Sequence, residues 1–195
     1  LVIALSKDEP SIIPKLTVDD YRDLQQDGDL WSDESGMSSA DQQELDTLVE
    51  KAKVASESGD YEQADILFER AFAIGGLNND AEMWAIYYEH GRSLKERGLL
   101  EDALVKFRLA NSVAGPLTRL AESKEEEGMV LFELGSVSEG IEKLEEAVEL
   151  NYDNPWIPYH LGERLDKLGL REEAIPHFEQ SIELGSTDGW AQKKL

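Results

Sequence analysis

The chain has 195 residues, and its 42 acidic against 19 basic side chains give a formal charge of −23; such a surface repels phosphate backbones and disfavours nucleic acid as a partner. A hydrophobic fraction of 41% excludes disorder throughout, and no apolar run approaches the roughly 18–20 residues of a membrane span. There is no cysteine, which excludes disulfides, thiolate metal sites and cysteine nucleophiles.

Residues 1–44 read as an acidic, partly irregular arm. Pro10 and Pro14 interrupt it, and residues 27–36 are small and acidic. Thr17 with Asp20 predicts a short helix running to Gln26, and Ser39 with Gln42 predicts a capping box ahead of the first long helical pattern. The apolar residues Leu1, Val2, Ile3, Ile12, Ile13 and Leu16 argue that the arm packs against something. The acidic stretch is a poor calcium loop: Trp31 stands where an oxygen ligand is needed and Ser32 where glycine is needed. It reads as a linker.

From residue 45 a period takes over. A ladder of Gly59, Ala64, Phe68 and Ala71 recurs as Gly98, Ala103, Phe107 and Ala110, as Gly135, Gly140, Leu144 and Ala147, and as Gly169, Ala174, Phe178 and Ser181. The last three rungs are spaced by four and three residues, so they share one helix face. The glycine marks a helix end. Aligned on the ladder, the repeating units are 45–78, 84–117, 121–154 and 155–188, each with a helix A before its glycine and a helix B after it. Gly115-Pro116 and Asn154-Pro155 end helices, because proline lacks an amide and disfavours a helical predecessor. Residues 189–195 read as the start of a capping helix or of a further repeat. An uncapped last hairpin would expose an apolar face through which copies of the chain could associate.

A 34-residue helix-turn-helix with small residues at places 8, 20 and 27, an aromatic at 24 and glycine near the turn resembles the tetratricopeptide repeat (TPR). Place 8 holds Ala52, Gly91, Gly128 and Gly162, and the turns at residues 60–64 and 170–175 are similar to the family's. The resemblance covers residues 45–188. It implies an all-α, right-handed solenoid of four stacked hairpins, because one hairpin cannot bury its apolar face alone. It further implies a protein-protein interaction scaffold without catalysis or cofactor. A peptide or partner protein of apolar and basic character would lie in the concave groove lined by the A helices.

In the family, places 2, 5, 9, 12 and 13 of each A helix tend to face that groove. Carried over, they include the candidate contact residues Tyr88, Arg92, Met129, Phe132, Trp156 and Tyr159, in a surround where acidic residues outnumber basic ones. The alternative for Phe132 and Trp156 is packing between repeats. Some family members grip acidic tails with basic residues and asparagine at places 2, 5, 6 and 9. Here place 5 holds Val49, Tyr88, Glu125 and Tyr159, and place 6 holds Glu50, Glu89, Glu126 and His160, so that clamp is missing. Other readings are a chaperone for a secreted or assembled client, a self-associating module of a larger chain, and an arm that occupies its own groove.

Some places depart from the family pattern. Lys124 and Pro158 take the large fourth place, and Lys51, His90 and Glu127 take the seventh, usually leucine. On consecutive helices these last three would form a buried polar row, structural if each is paired, with a proton-sensing or ligand role for His90 as the sharper alternative. As an enzyme the chain offers little. His90, His160 and His177 show no metal spacing, no nucleophile elbow or phosphate loop appears, and Glu-rich runs such as Glu125-Glu126-Glu127 read as solvated faces.

Overall fold

A computed structural model describes residues 38–75, 80–151, 153–185, 189 and 191–195. All regular structure among them is helical: α1 (Ser39–Glu57), α2 (Tyr61–Gly75), α3 (Asp80–Glu96), α4 (Leu100–Ser112), α5 (Leu117–Glu133), α6 (Val137–Leu150), α7 (Trp156–Lys167) and α8 (Arg171–Glu183). The short helix after Thr17 and the acidic stretch 27–36 lie outside the described residues. α1 begins at Ser39, so it takes in residues that the sequence assigned to the arm. Its cap is Ser38, one residue earlier than the expected Ser39–Gln42 box. Ser38 is extended (φ −67°, ψ 151°), whereas Ser39 is already helical. The Ser38 Oγ accepts the Asp41 amide at 3.2 Å and donates to the Asp41 carboxylate at 2.8 Å.

The ladder glycine closes each hairpin. Gly59 has φ +80°, a left-handed conformation that side chains with a Cβ disfavour. Its amide donates to the Ser56 carbonyl at 2.9 Å, and the Asp60 amide donates to the Ala55 carbonyl at 2.9 Å. These two bonds satisfy carbonyls that the helix end would leave unpaired. Gly98, Gly135 and Gly169 repeat the geometry with φ of +73°, +83° and +80°.

The other rungs form the core. Phe68 and Phe107 are fully buried, Phe178 is 1% exposed, and each is flanked by small buried residues of its own helix. Place 8 must be small because the aromatic ring of helix B lies on it. A Cβ added at Gly91 would come within 2.9 Å of the Phe107 ring, and one at Gly162 within 2.8 Å of the Phe178 ring. The third hairpin solves the same problem differently. A Cβ on Gly128 would meet the Gly140 carbonyl at 3.0 Å, and one on Gly140 would meet the Phe132 ring at 2.8 Å. Its aromatic filler comes from helix A, and the two backbones close up beneath it.

Helix pairs α1–α2, α3–α4, α5–α6 and α7–α8 form the hairpins; α2 packs on α3, α4 on α5 and α6 on α7. α1 also adjoins α3, and α3 adjoins α5. The chain is thus an all-α solenoid. At its C-terminal end Ala191 is fully buried in one cluster with Tyr159 and Phe178. The Arg171 side chain donates to the Lys194 carbonyl at 2.5 Å, and Lys194 Nζ lies 3.4 Å from Asp166. Residues 191–194 form turns that cover part of the face whose exposure would have favoured self-association.

The unusual residues at places 4 and 7 are each accommodated, but no polar row forms. Lys51 is exposed. His90 stacks on Phe68 (4.8 Å, 14°) with Nε2 3.7 Å from Asp65. Glu127, only 3% exposed, accepts from Arg108 Nε at 2.8 Å and from Asn111 Nδ2 at 2.6 Å. The partners of His90 and Glu127 come from helix B of the preceding hairpin, so the two sit in unrelated settings while Lys51 faces outward. Lys124 pairs with Glu146 of α6. Pro158 is buried in the first turn of α7, where a missing amide costs no intrahelical bond.

Candidate interaction face

One helix B reverses the chain between successive A helices, so α1, α3, α5 and α7 run in the same direction. A residue three or four places on lies one turn along the same stripe. On α3 that stripe carries Tyr88 and Arg92. Tyr88 is half-buried, stacked on Trp84 (4.8 Å, 16°) and edge-on to Phe107 at 6.0 Å. Burial raises the pKa of its hydroxyl, and the Glu126 and Glu122 carboxylates push it the same way. Arg92 Nη1 stands 3.5 Å from Glu89, whose own pKa is raised chiefly by burial. Between α1 and α3, Lys53, Glu57, Glu89, Arg92 and Glu96 border a cleft of about 10 Å³, closed by a 2.6 Å bond between the Ser56 and Ser93 hydroxyls. That is room for a water and no more.

Polar pairs bind this face together. Lys95 of α3 pairs with Glu126 of α5. Glu125 of α5 meets His160 Nδ1 of α7 at 2.5 Å, and Arg164 Nε of α7 donates to the Met129 sulfur of α5 at 3.3 Å. Trp156 opens α7 and is 44% exposed, with Tyr159 at 6.1 Å and His160 at 6.4 Å between ring centres.

The six predicted residues therefore divide. Arg92, Met129 and Trp156 keep surface on the A-helix stripe, Tyr88 and Phe132 do so in part, and Tyr159 turns inward. Phe132 covers Gly140, while Tyr159 is 7% exposed and packs against Phe178 at 5.9 Å. Met129 joins Trp156 only through the pairs that link α5 to α7. Sequence reasoning missed Glu126, His160 and Arg164, which bridge the helices from places 6 and 10. The opposite charges of Lys95 and Glu126 on consecutive A helices were the available signal. A larger cavity of about 380 Å³ lies on α1 and α2, away from this stripe, between Leu48, Leu67 and the Arg70–Glu44 pair (3.6 Å).

No family model matches the sequence, and no curated protein is similar to it at a significant level. Solved structures do match. MamA from Desulfovibrio magneticus RS-1, from its residue 41 onward, is similar with a TM-score of 0.60 at 21% identity, over 74% of this chain and 77% of that one. A tetratricopeptide repeat protein from Parabacteroides merdae gives 0.64 at 19% identity, over 78% of this chain and 57% of its own. A chain of the APC/C hetero-tetramer Cut9-Hcn1 gives 0.63 at 13% identity, over 76% of this chain and 28% of its own. This chain has the tetratricopeptide-repeat fold. Identities this low fix the fold alone, and function has to be argued from the face.

Proposed function

We propose that the protein is a non-catalytic interaction scaffold that receives a peptide or partner segment on the A-helix face of α3, α5 and α7. The observation that carries this reading is the arrangement of Arg92, Met129 and the exposed Trp156 along helices already tied together by Lys95–Glu126 and Glu125–His160. Exposed aromatic and arginine side chains on a rigid support are what a docking surface requires. The acidic surround favours a partner that combines apolar anchors with basic side chains. The cleft beside Arg92 is too small to enclose a metabolite, which suits surface contact. One similar structure is itself part of a hetero-tetramer, consistent with a scaffold that works by assembly.

The test is a random peptide library selected on the wild-type chain, with the enriched peptides titrated against variants. Arg92→Ala, Met129→Ala and Trp156→Ala should each weaken binding by about tenfold, on the order of 1–2 kcal/mol. Val105→Ala and Glu172→Ala, both exposed on B helices, should leave it unchanged. Peptides that respond only to the B-helix variants would overturn the reading.

A further inference from the structure

The Glu122 carboxylate, on the A-helix face, takes part in none of the described pairs that tie the helices together. Glu122 is half-buried on α5; burial and the neighbouring Glu125 and Glu89 raise its pKa, with Arg119 opposing them. Its position relative to α7 follows from the Glu125–His160 contact. The two helices run in the same direction, Glu122 lies one turn before Glu125, and Trp156 lies one turn before His160. The Glu122 carboxylate and the exposed indole therefore stand at the same end of adjacent helices. His160, inclined 32° to the Trp156 ring, backs the indole from the α7 side.

From this juxtaposition we infer that the face seats an arginine of a basic partner segment, its guanidinium stacked on Trp156 and its N–H groups directed at Glu122 and Glu125. The assignment rests on the A-helix face being the docking surface. Arginine suits the seat better than lysine because its planar group can stack on a ring and still donate edge-on to a carboxylate. Charge complementarity runs the same way: the chain carries −23 overall, and Glu89, Glu122, Glu125 and Glu126 converge on this stretch with Lys95 and Arg92 engaged by Glu126 and Glu89. The polarity is the reverse of a basic clamp for acidic tails, whose residues this chain does not have.

The test uses three amidated peptides: a repeated Leu-Arg-Leu-Ala sequence, the same with citrulline for arginine, and the same with glutamate for arginine. Each is titrated by fluorescence anisotropy against the wild-type chain and against Glu122→Gln, Trp156→Ala and the outer-face control Glu172→Gln, all checked for unchanged helicity. The arginine peptide should bind the wild type and the control equally and lose about threefold to tenfold on Glu122→Gln and on Trp156→Ala. The citrulline peptide should show a comparable loss on the wild type, and the glutamate peptide should not bind. Equal affinity of the arginine peptide for all four proteins, equal affinity of the citrulline peptide, or no binding of the arginine peptide would overturn the proposal. If library-selected peptides respond to Arg92→Ala and Met129→Ala but contain no arginine, the docking face stands and the arginine seat falls.

Discussion

At the scale of the residue, His90 shows how a polar group is held inside this fold. Its ring lies flat on Phe68 and tilts against Phe72, with a side chain only 13% exposed and Nδ1 buried without a partner. Burial lowers its pKa to about 4; Lys106 and Arg97 push the same way, while Asp65 and Asp102 oppose them. The ordinary value is 6.5. Above pH 6.5 the ring is neutral in both the folded and unfolded chain, and the fold keeps its full stability. Between pH 6.5 and about 4 the unfolded chain binds a proton that the folded one refuses, so stability falls with pH. The slope is about 1.4 kcal/mol per pH unit. His90→Leu, which restores the residue usual at place 7, should remove that slope. Urea denaturation at intervals across this window checks it, and parallel curves for the two proteins would sink the account.

At the scale of the element, two kinds of glycine are under different constraints. At Gly98 an added Cβ would meet nothing within 4 Å, and the demand is conformational, φ +73°. At Gly140 the backbone is ordinary helix and the demand is space, with the Phe132 ring 2.8 Å and the Gly128 carbonyl 3.0 Å from an added Cβ. Gly98→Ala should therefore cost about 1–2 kcal/mol through backbone strain alone. Gly140→Ala should cost about 1–3 kcal/mol through overpacking, and Phe132→Leu in the same chain should return part of that loss. If the double variant is no more stable than Gly140→Ala, measured by thermal unfolding, the ring is not what fills the space.

Hairpins, turns and buried faces were legible in the sequence, because the ladder combines a backbone requirement at glycine with a packing requirement at the three rungs. At Phe132 the alignment shows only part of the environment, because the half-buried ring also covers Gly140. Place 24 supplies the aromatic in the other three hairpins, and in this one place 24 is Leu144. Gly140 and Leu144 together were a visible sign that a ring had to arrive from elsewhere. Tyr159 packs inward, in one cluster with Phe178 and Ala191. Arg92, Met129 and Trp156 keep surface on their A helices, and whether a partner touches them is for the binding test to decide.

At the scale of the whole molecule, stability is a chain of nearest-neighbour terms, since among the described residues each hairpin packs mainly on those beside it. Damage at one end should stay there. Ala191→Asp would bury a charge against Phe178 at the C-terminal end and should speed amide exchange in α7 and α8. Exchange in α1 and α2 should be unaltered. A uniform rise across all eight described helices would show that the array opens as one unit.

The buried Glu127 has a consequence for the order in which the repeats stand. Its ligands, Arg108 and Asn111, come from helix B of the hairpin before it. Counted from the turn glycine, the counterparts of Arg108 are Glu69, Glu145 and Glu179, and those of Asn111 are Phe72, Val148 and Ile182. No other hairpin of this chain could precede the third without confronting its carboxylate with another carboxylate and an apolar side chain. The ladder makes the hairpins alike enough to be exchanged during folding, by skipping a unit or pairing with a second chain. This one acid disfavours any exchange that sets a different hairpin before the third, so a single interior charge fixes the junction between the second and third repeats.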